Sequence, residues 1–276
     1  MKCLVLIFFL LFFSDVNAST DYEYLLKIIN SELGEVSRLN KQIKASDENL
    51  LLRMAELYLE RGRVKKEKEN DKFLKLPPHV RRKAAKSKYF SGSKKDMEQA
   101  NRIGVFLLKK FPNSSLKGDV FYIFAFYAQE YKSIKKAKKF FNLAKKYSEK
   151  KTESFKKASL ALADIFYNEK KFLQAINNYE NAIEDKESKW WTRDAFNLAW
   201  CYFREGRQKE GIKLMENVHS LSKKGFYLNF ANEAERDLIY FYIESNRITD
   251  AERFIRKSGE KPQQYIKLAK NLIDQG

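Results

Sequence analysis

Residues 159–184 read S-L-A-L-A-D-I-F-Y-N-E-K-K-F-L-Q-A-I-N-N-Y-E-N-A-I-E. Ala163, Phe166, Ala175, Tyr179 and Ala182 recur there at helical spacing in two short amphipathic segments, parted by the polar run Asn168-Glu169-Lys170-Lys171. Two helices of this length cannot bury their apolar faces against each other alone. The unit therefore needs neighbours built like itself.

The sequence supplies them. Ala125, Ala163, Ala199 and Ile239 follow one another at spacings of 38, 36 and 40 residues. Twelve residues after each stand Ala137, Ala175, Gly211 and Ala251, and four further on Phe141, Tyr179, Met215 and Ile255. Small residues at the second place let two helices cross closely, with a bulky partner one turn later, and the first place is small in all but Ile239. Ala55 opens the same pattern upstream. Tyr58, Tyr202 and Tyr242 are each followed by Gly62-Arg63, Gly206-Arg207 and Asn246-Arg247. Gly or Asn is suited to a left-handed residue closing a helix, so helix ends are expected at all three.

On these residues the chain resembles the tetratricopeptide repeat (TPR) family, whose nominal 34-residue unit carries W-x2-L-G-x2-Y…A-x3-F. Leu162-Ala163-x2-Phe166…Ala175-x3-Tyr179-x2-Ala182 matches best, with Phe124-Ala125…Ala137-x3-Phe141-x2-Ala144 next. Leu198-Ala199-x2-Tyr202…Gly211-x3-Met215 and Leu238-Ile239-x2-Tyr242…Ala251 follow less closely. Met54-Ala55-x2-Tyr58, with Ala100, Leu107 and Pro112, resembles a first, divided unit. The resemblance implies an all-α, right-handed α-solenoid of about four to five TPR-like hairpins. Scarce Gly and Pro, 10 and 4 residues, and the absence of strand-like alternation agree with an all-α chain.

In order, an amphipathic helix occupies 19–45, carrying Tyr24, Leu25, Ile28, Ile29, Leu33, Val36, Leu39 and Ile43, with Gly34 as a candidate break. Ser46-Asp47-Glu48 reads as the next helix start. A divergent hairpin spans 46–115, interrupted by a basic insertion at 63–93 around Pro77-Pro78. Repeats span 116–258, and a capping helix with Tyr265, Leu268, Ala269 and Leu272 on one face lies within 259–276.

Met1-Lys2, the ten apolar residues Leu4–Phe13 and Val16-Asn17-Ala18 have the pattern of a signal peptide over 1–18. The apolar run is shorter than the roughly 20 residues of a spanning helix; an uncleaved anchor is the other reading. Export to a bacterial periplasm, or secretion, is the expectation. Without Cys3 only Cys201 remains, either a small buried hydrophobe or a reactive thiol.

The net charge of +18 is uneven. Residues 61–95 hold 14 Lys/Arg against 3 Asp/Glu, and residues 131–157 hold 11 Lys against 2 Glu. Arg81, Arg82, Lys83 and Lys86, together with Lys135, Lys136, Lys138 and Lys139, form a candidate polyanion-binding set. For an exported protein the matching anions are wall polymers, lipid head groups and acidic proteins rather than nucleic acid.

No catalytic constellation is visible. The two histidines, His79 and His219, read as surface residues, and no Gly-rich phosphate loop or G-x-S-x-G occurs. A non-enzymatic chain with no cofactor and no metal is expected. The TPR resemblance implies a concave, partner-binding groove lined by Tyr122, Phe126, Asp164, Tyr167, Asn168, Arg193, Asn197, Trp200, Arg204 and Tyr240, beside Phe196 and Phe203. Phe126, Phe196, Trp200 and Phe203 stand equally as fillers between repeats. Leu160 and Phe196 occupy positions where the family's carboxylate clamp has Lys. The expected function is a scaffold or adaptor of the cell envelope holding a protein or peptide partner. The alternative is a basic protein that binds anionic wall polymer or a membrane surface through 63–95 and 132–157.

This register makes Ala163 a close-crossing point. Ala163→Leu is expected to overpack the hairpin and cost on the order of 1–3 kcal/mol, read as a lowered melting temperature. An unchanged melting temperature would show that the register is wrong.

Overall fold

Four helix ends in this chain close with the same backbone device. Lys132, Lys170, Gly206 and Asn246 have positive φ, at 57°, 58°, 77° and 55°. Each lies seven residues beyond one of the aligned positions 125, 163, 199 and 239. The left-handed residue donates its N–H to the carbonyl three back: Lys132 to Gln129, Lys170 to Tyr167, Gly206 to Phe203, Asn246 to Ile243. The next residue donates to the carbonyl five back: Ser133 to Ala128, Lys171 to Phe166, Arg207 to Tyr202, Arg247 to Tyr242. This is the Schellman closure, which satisfies carbonyls a helix end would otherwise leave open.

The protein is a computed structural model, described over residues 18–43, 47–84, 89–184, 186–259 and 262–275. Among these residues there are thirteen helices and no strand. They are α1 (Ala18–Gln42), α2 (Glu48–Leu74), α3 (Pro78–Lys83), α4 (Ser91–Lys110), α5 (Lys117–Glu130), α6 (Ile134–Tyr147) and α7 (Glu153–Asn168). Then come α8 (Phe172–Ala182), α9 (Trp191–Arg204), α10 (Gln208–Ser222), α11 (Ala231–Glu244), α12 (Ile248–Lys257) and α13 (Pro262–Gln275). By internal contacts the chain divides into two compact units, with the boundary between Ala137 and Lys138. The signal-peptide reading falls on 1–17, outside the described residues, as do Ser46, Lys86 and Lys88.

In the first unit α1 runs unbroken through Gly34. Leu26, Ile29, Leu33 and Val36 pack with Leu57 and Val64 of α2, while Tyr24, Leu39 and Ile43 are exposed. Asp47 caps α2 by accepting from the N–H groups of Asn49 and Leu50 at 2.8 and 3.0 Å.

The helix end expected at Gly62 is not there: α2 continues to Leu74. Gly62 instead permits close approach, since a Cβ on it would lie 3.0 Å from Met97 Cγ and 3.2 Å from the Ser93 carbonyl oxygen of α4. Much of the stretch read as an insertion is therefore the second half of a long helix paired antiparallel with α4. Phe90, at the N-cap of α4, offers no side-chain acceptor. Glu69 of α2 takes that place, accepting from Gly92 N, Ser93 N and Ser93 Oγ at 3.0, 3.2 and 2.6 Å. An anion there satisfies open amides and meets the positive end of the helix dipole.

In the second unit the aligned positions are core. Ala163, Ala199 and Ile239 are buried, as are Ala175 and Ala251 and the bulky Tyr179, Met215 and Ile255. A Cβ on Gly211 would lie 2.9 Å from the carbonyl oxygen of Ala199 and 3.3 Å from the Phe203 nitrogen. Helices α9 and α10 thus cross nearly backbone to backbone.

Gly211 and Gly34 are both helical, yet only the first is hemmed in; nothing lies within 4 Å of a Cβ at Gly34. Gly34→Ala is expected to stabilise the chain by about 0.5–1 kcal/mol. Gly211→Ala is expected to destabilise it by about 1–3 kcal/mol. Thermal melts of the two variants decide: shifts of the same sign would refute the close crossing.

Candidate partner-binding face

The first helices of the hairpins in the second unit, α7, α9 and α11, turn a row of aromatic and charged residues outward from the core. Trp200 is the centre. Its indole stacks on Tyr240 with centroids 5.8 Å apart and meets Phe241 edge-on at 4.8 Å. Phe203 lies flat on Phe241 at 4.0 Å and touches Tyr240 at 6.0 Å. Phe196, Trp200 and Phe203 are half-buried and packed against the core, so they fill space as well as show an edge.

Beneath this row lies a layer of carboxylates. Asp237 is buried, accepting from Trp200 Nε1 at 2.9 Å and from Arg236 Nε at 2.7 Å. Asp164 accepts from the Tyr179 hydroxyl at 2.6 Å, and Asn197 bonds the same phenol. Burial, then the Asp164 charge, pushes the Tyr179 phenol well above its usual range. Asp194 has a side chain only 3% exposed and is met by Arg193 Nη2 at 2.6 Å. Burial raises its carboxyl to about 6 against the opposing pull of Arg193. Cys201 is buried, and that burial pushes its thiol up to about 12, which fits a small hydrophobe and not a nucleophile.

The sequence-predicted residues divide accordingly. Asp164, Arg193 and Asn197 are tied into the polar layer, and Trp200 and Tyr240 into the aromatic row. Tyr167 is half-buried, edge-on to Phe172 at 6.0 Å, with its phenol raised by burial and opposed by Arg204. Asn168 is exposed. Arg204 is exposed, with its guanidinium 5.3 Å from the Trp200 ring centre and no carboxylate in ion-pair range among the described residues. Tyr122 and Phe126 belong to the first unit, where both are half-buried and Arg63 lies over the Phe126 ring at 4.1 Å. Sequence reasoning missed Asp194, Asp237 and Phe241. The available signal was an acid on an otherwise apolar helix face, which asks for a buried partner.

The polyanion set also divides. Lys138 pairs with Glu169 at 2.6 Å, whereas Lys135, Lys136 and Lys139 are exposed on α6. Arg81, Arg82 and Lys83 lie on α3. His79 is exposed, but His219 is not the surface residue expected: it is buried edge-on to Phe254 at 5.1 Å, with Nε2 3.8 Å from Glu235 Oε2. Among the described residues no group of three or more His, Cys, Asp or Glu is arranged to hold a metal.

No protein-family model matches the chain, and no curated protein matches it in sequence. Among solved structures it is similar to BtubC (BKLC) from P. vanneervenii, at 15% identity over 89% of this chain and 91% of that one, with a TM-score of 0.58. Together with the hairpins, that decides the architecture. The fold is TPR-like. Apo RapI matches at 14% identity over 87% of this chain and 74% of its own, TM-score 0.49. A Podosopora anserina kinesin light chain with nearly identical TPR-like repeats matches at 14% over 78% and 98%, TM-score 0.48. At that similarity the last two add nothing to the argument.

Within this TPR-like chain Asp194 carries a distinct pH signature. Its folded carboxyl, near 6, holds its proton more tightly than the unfolded value of 3.8. Its contribution to stability is thus fully present below about 3.8 and lost as pH rises through about 6, on the order of 3 kcal/mol. Asp194→Asn is therefore expected to gain melting temperature relative to the parent as pH is raised from 5 to 8. Parallel curves across that window would refute the burial of an unstable carboxylate.

Proposed function

We propose that the chain is a non-enzymatic scaffold or adaptor of the cell envelope, and that the α7–α9–α11 face holds a protein or peptide partner. Arg204 carries this reading. An exposed guanidinium without a carboxylate, resting on Trp200 beside Tyr167 and Tyr240, has the residue types that dominate binding hot spots. The layer below supports it, since Asp237 fixes the indole and Arg236, and Asp164 fixes Tyr179. A platform whose side chains are already ordered loses less freedom on binding. The envelope address rests on the signal-like pattern of residues 1–18.

The test is photo-crosslinking in cells from exposed Asn168, with partners identified by mass spectrometry. Arg204→Glu, a surface change that leaves Trp200 in place, is expected to reduce the crosslinked partner about tenfold. Equal yields from parent and variant would overturn the assignment of this face.

A further inference from the structure

The lysines of α2 do not share one fate. Lys65 pairs with Asp96 at 2.8 Å, Lys66 with Glu130 and Lys68 with Glu23. Lys72 adds only a longer-range pull on that same Glu23, and after it the pairing stops among the described residues. Between Lys72 and Lys83 the sequence has five Lys/Arg and no Asp or Glu. Lys72, Lys75, Arg81, Arg82 and Lys83 have no carboxylate in ion-pair range among the described residues, and all but Arg81 are exposed. Two aliphatic side chains stand among these cations, Leu74 54% exposed and Val80 37% exposed.

The tip is built rather than loose. Phe73 is buried against the rings of Tyr89 and Phe90, at 5.5 and 6.0 Å. The amides of Lys75 and Leu76 close α2 on Asp71 and Phe73, and the Arg81 amide bonds the Pro77 carbonyl. Arg81 Nη1 reaches back to the Leu74 carbonyl at 3.4 Å, which brings α3 against the end of α2. Pro77 and Pro78 restrict the turn between them.

From this we infer that the α2–α3 tip is a docking surface for an anionic phospholipid bilayer. The cations meet the head groups while Leu74 and Val80 enter the boundary with the acyl chains. A soluble polyanion would use the charges but would have no use for the aliphatic side chains, which a bilayer boundary would bury. Among the described residues no helix is long and apolar enough to cross a membrane, so the contact is one of surface docking. The inference is independent of the α7–α9–α11 face.

The test is flotation of the full chain with phosphatidylcholine vesicles, with and without phosphatidylglycerol. The readouts are binding to the anionic vesicles and its ratio to binding on phosphatidylcholine alone. The apolar N-terminal run is common to every variant, so differences between variants do not come from it. The parent is expected to favour the anionic vesicles and to lose that preference as salt approaches 1 M, where screening falls to about 3 Å. Arg81→Gln, Arg82→Gln and Lys83→Gln together should weaken anionic-vesicle binding about a hundredfold, at about 1 kcal/mol per basic residue. The charge-matched change at Lys135, Lys136 and Lys139 should cost far less; an equal loss would show general electrostatics and overturn the assignment to the tip. Leu74→Ser with Val80→Ser, all cations kept, should weaken binding about tenfold. Parental binding by that pair would mean that charge alone is read, and would overturn the bilayer assignment. The substituted side chains lie outside the core, and unchanged melting curves would confirm intact folding.

Discussion

Close approach of paired helices is the constraint on which the rest of this structure depends. A helix of fourteen or fifteen residues buries only a stripe of side chains, so it must come near its partner to bury enough. At Ala199 and Gly211 the helices approach until a single methyl group would collide with backbone. The Schellman closure serves the same end. It turns the chain within three residues, so the second helix starts beside the first, and four such turns recur at one register. Gly62 obeys the same constraint by a different route, with the approach made between two long helices rather than across a tight turn.

Much of this was visible in the sequence, because close approach leaves a residue-size signature. The register at 125, 163, 199 and 239, small in all but Ile239, located the hairpins, and Gly206 and Asn246 located two of the turns. At Lys132 and Lys170 no Gly or Asn marks the left-handed residue, and lysine takes positive φ there at a local cost of roughly 1–2 kcal/mol. Gly62 misled for the complementary reason. A glycine marks either backbone freedom or absence of a side chain, and sequence spacing does not distinguish the two. The trans-cap from Glu69 to Gly92 and Ser93 was beyond local reading, since its partners are more than twenty residues apart.

The candidate face was less visible because its chemistry lies one layer down. Half-buried Trp200, Tyr167 and Tyr240 and exposed Arg204 were named from the register. The buried carboxylates below, Asp194, which meets Arg193, and Asp237, which holds Trp200 and Arg236, looked like ordinary helical acids beside their arginines. Burial changes their meaning. A carboxylate withdrawn from water must be neutralised by bonds or by a proton. Asp237 is satisfied by two donors, whereas Asp194, held mainly by one flexible arginine, is pushed toward protonation. Trp200 is consequently part of the fold as much as of the face, while Arg204 projects from the face without being anchored by a carboxylate.

The same distinction governs the charge excess. Net charge says how much cation a chain carries, but a cation is available to a partner only where the fold has not already supplied an anion. Along one helix Lys65, Lys66 and Lys68 are answered from α1, α4 and α5, so they act as internal ties between elements of the first unit. A few residues on, Lys72 reaches Glu23 only at longer range, and the cations after it have no carboxylate in ion-pair range among the described residues. Where α2 extends past its neighbours, the lysines no longer join helices. The cations and the exposed Leu74 and Val80 arise together at that tip, where among the described residues no carboxylate lies in ion-pair range of those cations and Phe73 is the side chain that is buried.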